Sequence, residues 1–286
     1  MGIRFGAAGK SDSFNEEKKN RSSLEMPHWL NERGLNAFEY QCGHGVRIGT
    51  DMARELGLLA REYDVRLSLH APYYINCSTP DPEKMVKTKN HLMNSLRAAQ
   101  AMNAATVVFH PGSAAKVDRR EALERAKKLL REFLVEAEEE GLSHIVLAPE
   151  TMGKRNQLGS LEEVLELCEL SEQIKPAVDF GHIHAVTGGS LIDKASFAEI
   201  LDLIQERQGR DCLQNLHVHF SPIEFTAGGE KRHWTTLNTE IGPDFTPLAE
   251  LLVERELTPV IICESAGRQA EDAVIYRDIY QGFHNL

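Results

Sequence analysis

The feature that most constrains this chain is an alternation. Short apolar, β-rich runs recur eight times, at Ile3–Ala7, Ala37–Tyr40, Arg66–His70, Thr106–His110, His144–Ala148, Ala177–Phe180, Asn215–Phe220 and Pro259–Cys263. Amphipathic, charge-rich stretches separate them. In Arg119–Gly141, for example, Ala122, Leu123, Ala126, Leu129, Leu130 and Phe133 repeat at helical spacing and Gly141 suits a helix stop. "SLEEVLELCEL" reads as another helix, with Ser160 as N-cap and Glu163 completing a capping box. Strands that are apolar throughout are buried on both faces. Eight strand–helix units with right-handed crossovers therefore predict a parallel (β/α)8 TIM barrel, read as one domain spanning 1–286.

The runs end unusually. "LSLHAPYY" stops at His70, "VVFHPGS" at His110, "IVLAPETMG" at Glu150, and "PAVDFGHIHA" at Asp179 and His182. His217 lies in the seventh run and Glu264 follows the eighth. In such barrels the active site forms where the C-terminal ends of the strands feed the loops. One histidine there is more often a hydrogen-bonded structural residue than a ligand. Seven polar groups converging on one rim are costly unless something pairs with them. Imidazole nitrogen with carboxylate oxygen suits zinc, manganese or iron(II), and no cysteine is placed to join them. Glu150 or Asp179 could bridge two ions. His184 and His219 each follow a candidate ligand by two residues and are expected to support it rather than ligate. His44, in "CGHGVR", could line the mouth.

Composition narrows the classes. The 286-residue chain carries a formal charge of −11, which argues against diffuse nucleic-acid binding but leaves room for a local basic cleft. No run of about 18 apolar residues suggests a membrane span. Five widely spaced cysteines without a CxxC pair, and no secretory pattern at the N-terminus, are expected of reduced thiols in a cytoplasmic protein.

"LHAPYYIN", "VFHPGS", "APETMG", "VDFGHIHA", "RHW" and "IICES" occur in this order along the chain. Through them the sequence resembles the endonuclease IV family of zinc-dependent apurinic/apyrimidinic endonucleases, over essentially its whole length. The resemblance implies a hydrolase that cleaves DNA 5′ to abasic sites and leaves a 3′-hydroxyl, with two or three zinc ions. Its partner would be damaged DNA, with no membrane and no obligate protein partner. Carried over by motif, His70 and His110 hold one ion with Glu150, which bridges to a second held by Asp179, His217 and Glu264. His182 and His233 hold a third. Glu150, Asp179 and Glu264 are the catalytic carboxylates. Tyr73 matches the family's DNA-contacting tyrosine. Lys10, Lys116, Lys154, Arg155, Lys231 and Arg232 fall in loops beyond strands and are candidate phosphate contacts, with Lys154, Arg155 and Arg232 foremost.

The sequence also departs from the family. At the third site the family has Asp-x-His, whereas "EKRHW" puts Lys231 at the aspartate position. A protonated lysine cannot ligate, but Glu230 could if the loop shifts by one residue. "GAAGKSDS" lacks the family's N-terminal histidine, and "HVHFS" lacks an aspartate. These differences describe a diverged branch. The main alternative is a xylose-isomerase-like sugar isomerase or epimerase with one divalent ion on Glu150, Asp179, His217 and Glu264. That scheme leaves His70, His110, His182 and His233 without a task. A non-catalytic binder of damaged DNA or metal would be expected to have lost the bridging carboxylates.

Overall fold

The computed structural model describes residues 2–17, 22–115 and 117–284. Its main sheet has eight strands: β1 (Arg4–Ala8), β2 (Ala37–Gln41), β3 (Arg66–His70), β4 (Thr106–Phe109), β5 (Val146–Pro149), β6 (Ala177–Asp179), β7 (His217–Phe220) and β8 (Val260–Cys263). They pair in the order β5-β4-β3-β2-β1-β8-β7-β6. Every pairing is parallel. Isolated parallel bridges, Leu147 to Ile174 and Glu150 to Ala177, close the circle between β5 and β6. The helices lie between consecutive strands, so the chain folds as the TIM barrel that the alternation predicts.

Local chemistry explains the boundaries. The helix Arg119–Glu139 starts at Asp118, whose side chain accepts from the Glu121 N–H, and buries Ala122, Leu123, Ala126, Leu129, Leu130 and Phe133. Gly141 follows at φ +70°, a conformation open to glycine without strain. The Ser160–Glu163 capping box is formed at the head of Leu161–Cys168. β4 ends one residue early because Pro111 has no N–H to continue the ladder. β6 ends at Asp179 because that carboxylate accepts from the His182 N–H and caps the helix Phe180–Val186.

The large apolar side chains, Phe38, Phe109, Phe133, Phe180 and Phe220 among them, fill the layer between strands and helices. Inside the barrel the apolar residues carry no rings and most are alanine or valine: Ala8, Ala37, Val260 and Ile262 form one patch, Val108, Ala148 and Ala177 another. Such interior residues leave room for polar ones at the same level. Two hairpins add to the C-terminal rim: Gly112–Ser113 with Gln157–Leu158, and Ile223–Thr226 with Gly229–His233.

Candidate metal centre

At the C-terminal mouth, His70, His110 and Glu150 converge. His70 Nε2 lies 3.2 Å and His110 Nε2 3.1 Å from Glu150 Oε2. His70 Nδ1 donates to the Ala71 carbonyl at 2.9 Å. A carbonyl only accepts, so Nδ1 carries the proton and Nε2 faces the carboxylate. Burial opposes charge on His70, but neighbouring Glu150 outweighs it and raises the imidazole to about 9. His110, under the same burial with a weaker opposing pull, is lowered.

A second group shares Glu150. Ligand atoms of Glu150, Asp179, His219 and Glu264 lie within 4.8 Å of one another. His219 Nδ1 is 3.0 Å from Glu150 Oε1 and 3.5 Å from Glu264 Oε1. Burial pushes Glu264 up to about 8, with Glu150 and Asp179 adding like-charge repulsion against the pull of His219. Burial would raise Glu150 too, but the charge of His219 and bonds from His110, His182 and His219 hold it well below the usual carboxylate range. Asp179 is fully buried, and its Oδ2 accepts no hydrogen bond from the described residues. The nearest imidazole nitrogen, His182 Nδ1, is 3.4 Å away and donates instead to the Thr151 carbonyl. A buried carboxylate oxygen left this way fits a cation better than an empty space.

The third group is His182, Glu230 and His233. His182 Nε2 is 3.6 Å from Glu230 Oε2, and His233 Nε2 is 3.7 Å from Glu230 Oε1. The one-residue shift has a structural form. In the 223–233 hairpin Glu224 pairs with Arg232 but Phe225 pairs with Glu230, so a β-bulge absorbs Lys231. Glu230 and His233 are then three positions apart, rather than two, yet on the same side. Lys231 turns outward to Glu224 at 2.6 Å. Its ammonium, which the sequence sets at a ligand position, is therefore directed away from the site.

One expected ligand is not where the motif carries it. The fold does not bring His217 to Asp179 and Glu264. In the β6–β7 register His217 is level with Ala177, and His219 is level with Asp179. Two residues of strand are roughly 6.6 Å, so His219 reaches the mouth and His217 lies beneath it. His217 Nε2 instead donates to Glu39 Oε2 at 2.8 Å. Glu39, on β2, is not among the ligands expected from the sequence. It is 0% exposed, and its Oε2 also accepts from His219 Nε2 at 3.3 Å and Ser68 Oγ at 2.9 Å. A charged residue inside an apolar run, "NAFEYQ", is the signal that could have found it.

The remaining candidates are dispersed. Tyr73 is 47% exposed beside the mouth, and its hydroxyl meets His44 Nδ1 at 2.6 Å. Tyr74 reaches the same nitrogen at 3.2 Å, so His44 ties the two rings together and is in no ligand group. His184 is turned away, accepting from the Leu191 N–H and packing on Phe225. Lys154 lines the mouth cavity, about 260 Å³ in volume, and Arg155 is exposed next to it. Arg232 stacks on Trp234 and pairs with Glu224 at 3.1 Å. Lys10 lies over the Phe14 ring, and Lys116 falls outside the described residues. A larger cavity of about 610 Å³ opens at the opposite end of the barrel, where Lys175 is paired with Glu172 and the ligand groups are absent.

Fold and site together define a TIM barrel with candidate cation-binding groups at its C-terminal face: the three above, and two overlapping ones in which Glu39 stands with His217 and His219 or with His70 and Glu264. The chain belongs to the xylose isomerase-like TIM barrel family, which it matches over residues 27–280. An uncharacterized protein of Methanocaldococcus jannaschii is 33% identical over 281 residues, 96% of both chains. The probable endonuclease 4 of Mycoplasma genitalium is 27% identical over 262 residues, 89% of this chain and 82% of that protein. Among solved structures, endonuclease IV from Thermus thermophilus superposes with a TM-score of 0.69 at 19% identity, covering 99% of each chain. A D-tagatose 3-epimerase-like protein superposes with a TM-score of 0.70 at 21% identity, covering 99% of this chain and 98% of its own. At such identities the structures share the fold.

Proposed function

We propose that this protein is a metal-dependent phosphodiesterase that cleaves DNA on the 5′ side of abasic sites, as a repair hydrolase. The observation that carries the reading is the third group. His182, Glu230 and His233 lie against the first two, with His182 Nδ1 3.4 Å from Glu150 Oε1. A barrel that handles a sugar with one ion has no use for that group, nor for His70 and His110. The nitrogen–oxygen donor set suits zinc, two or three ions per chain, with manganese or iron as substitutes. Ions held there supply Lewis-acid stabilisation of a phosphoryl group and activation of water.

The chain's own residues then have distinct tasks. Glu150 faces both neighbouring groups and fixes their spacing. Asp179 and Glu264 balance charge on the second group. Tyr73 and Tyr74 offer exposed ring faces beside the mouth, suited to stacking on bases that flank the lesion. A nucleotide without a base is the easiest to turn out of the duplex into a cavity of this size. Lys154 and Arg155 meet the phosphates locally, despite the acidic whole. Among the described residues no helix is long and apolar enough to cross a membrane. All five cysteines are free and buried, which suits a reducing cytoplasm.

The deciding experiment incubates the zinc-loaded protein with a duplex containing one tetrahydrofuran abasic analogue. A single nick 5′ to the analogue with a 3′-hydroxyl end is expected. No nick, with the ions bound, overturns the reading. One observation favours a second reading: Glu150, Asp179, His219 and Glu264 alone form a complete one-ion set from the last four strands. A sugar isomerase or epimerase would bind one divalent ion there and turn over sugar while leaving the duplex intact.

A further inference from the structure

We propose that Glu39 is a positioning residue that selects His219, rather than His217, as the metal ligand of β7 and fixes which of its nitrogens faces the metal. The proposal rests on the functional reading above, in that it takes the group of Glu150, Asp179, His219 and Glu264 to hold an ion.

A carboxylate has a fixed acceptor capacity. Two ionised oxygens offer about four lone-pair sites and no donor. Glu39 is completely buried on the inner side of β2, and four donors surround it. On Oε2 are Ser68 Oγ at 2.9 Å and His217 Nε2 at 2.8 Å. His219 Nε2 also reaches Oε2, at 3.3 Å, while Oε1 accepts from Gln41 Nε2 at 3.2 Å. They come from β2, β3 and β7, so the carboxylate spans the barrel interior. None of these four donors is a guanidinium or an ammonium.

The consequence falls on His219. Because an ionised carboxylate can only accept, the Nε2 that faces Glu39 carries a proton. Its Nδ1 is then the nitrogen offered to Glu150 and Glu264, at 3.0 and 3.5 Å. An imidazole whose far N–H is held by a carboxylate is oriented and made a stronger donor toward a cation. His217 also spends its Nε2 proton on Glu39 and has no carboxylate of the mouth beside it. Two histidines one alternation apart on the same strand are thus given different work by one residue of another strand. His217 and Ser68 hold Glu39, and Glu39 holds His219.

The test compares the full chain with Glu39→Gln, which keeps the shape and one acceptor oxygen, and Glu39→Leu, which keeps the volume and no acceptor. Zinc affinity is read by competition with a chelator. We expect one ion to weaken by on the order of 10–100-fold in Glu39→Leu and by less in Glu39→Gln, as for other carboxylates behind a ligating histidine. Cleavage should return when free zinc is raised, with KM for DNA unchanged; a fold defect would show in the circular dichroism and thermal unfolding of the metal-free variants, since metal also stabilises a weakened fold. Parental zinc affinity in both variants overturns the proposal. Should Glu39→Leu fail to fold, Glu39→Gln and ¹⁵N-histidine NMR of the unsubstituted chain decide alone. The spectra of metal-free protein should show a slowly exchanging His219 Nε2 proton that is lost or fast-exchanging in Glu39→Gln. A bonded proton on Nδ1 alone overturns the proposal. A parent chain that binds no metal sinks the functional reading, while the NMR result still judges Glu39.

Discussion

The strand-borne and hairpin-borne parts of the centre are built differently. Glu150, Asp179, His219 and Glu264 stand at the ends of four successive strands, β5 to β8, and the barrel register sets their height. Glu230 and His233 sit on a hairpin beyond β7, with side chains 15% and 22% exposed, against 0% for Asp179 and His219 and 16% for Glu264. Their meeting with His182 depends on one bulge. Closure of a barrel tolerates no local change in register, whereas a hairpin can gain or lose a residue and still pair. This difference shows how Lys231 can occupy a ligand position in the sequence while the group around it stays acidic.

The sharpest way to break the comparison is at the shared carboxylate. Glu150→Gln should lower cleavage by about 10³-fold, in the range seen when a charge-stabilising group is lost from an active site, with the fold intact by circular dichroism. Rates near those of the parent, at full metal content, would show that no bridging anion is needed. Glu230→Ala should have the next largest effect, a loss of about one ion and roughly 100-fold in cleavage, since two histidines alone hold zinc weakly. Metal analysis that finds every parental ion in this variant removes Glu230 from the ligands and ends the distinction between strand and hairpin.

Proton competition should distinguish the parts by pH. In the metal-free chain His70 titrates at about 9, above its ordinary 6.5, because Glu150 outweighs burial. A ligand must be neutral to bind, so zinc displaces that proton at any pH below about 9. Affinity at the His70 group should rise up to about tenfold per pH unit through this range and level off above it. A flat profile in calorimetric titrations between pH 7 and 9 would refute a role for His70.

Smaller effects belong to the rim. Lys154→Ala with Arg155→Ala should reduce the salt slope of abasic-duplex binding by about 2, one for each phosphate no longer neutralised. An unchanged slope means that both side chains are merely solvated. Smallest of all is Lys231→Asp. Its exposed pair with Glu224 contributes little, so cleavage should stay within about fivefold of the parent and metal should bind as well or better. A steep loss of metal would mean that the bulge itself depends on Lys231.

Much is legible in the sequence alone. The eight runs lie within a residue or two of the eight strands, because burial on both faces leaves a continuous apolar trace. The address of His70, His110, Glu150, Asp179, His182 and Glu264 at one rim follows from strand polarity. Glu230 is legible as a conditional, to be realised if the loop shifts. What the sequence offers no means of ranking is His217 against His219. Alternation puts both on the inner face, and motif matching chooses the first by its position in "HVHFS".

By itself, then, the sequence determined the architecture, the end of the barrel where the candidate ligands gather and the kinds of atoms found there, since periodicity, chain direction and residue type are all local properties. The tertiary structure decided height and partnership. Register with β6 raised His219 level with Asp179 and left His217 at the level of Ala177. Closure of the barrel brought Glu39 across from β2 to β7, 178 residues apart in the chain, to a 2.8 Å bond. Such a pairing leaves no trace in spacing, because it is fixed by how eight strands stagger around a common axis rather than by anything that neighbouring residues do to one another.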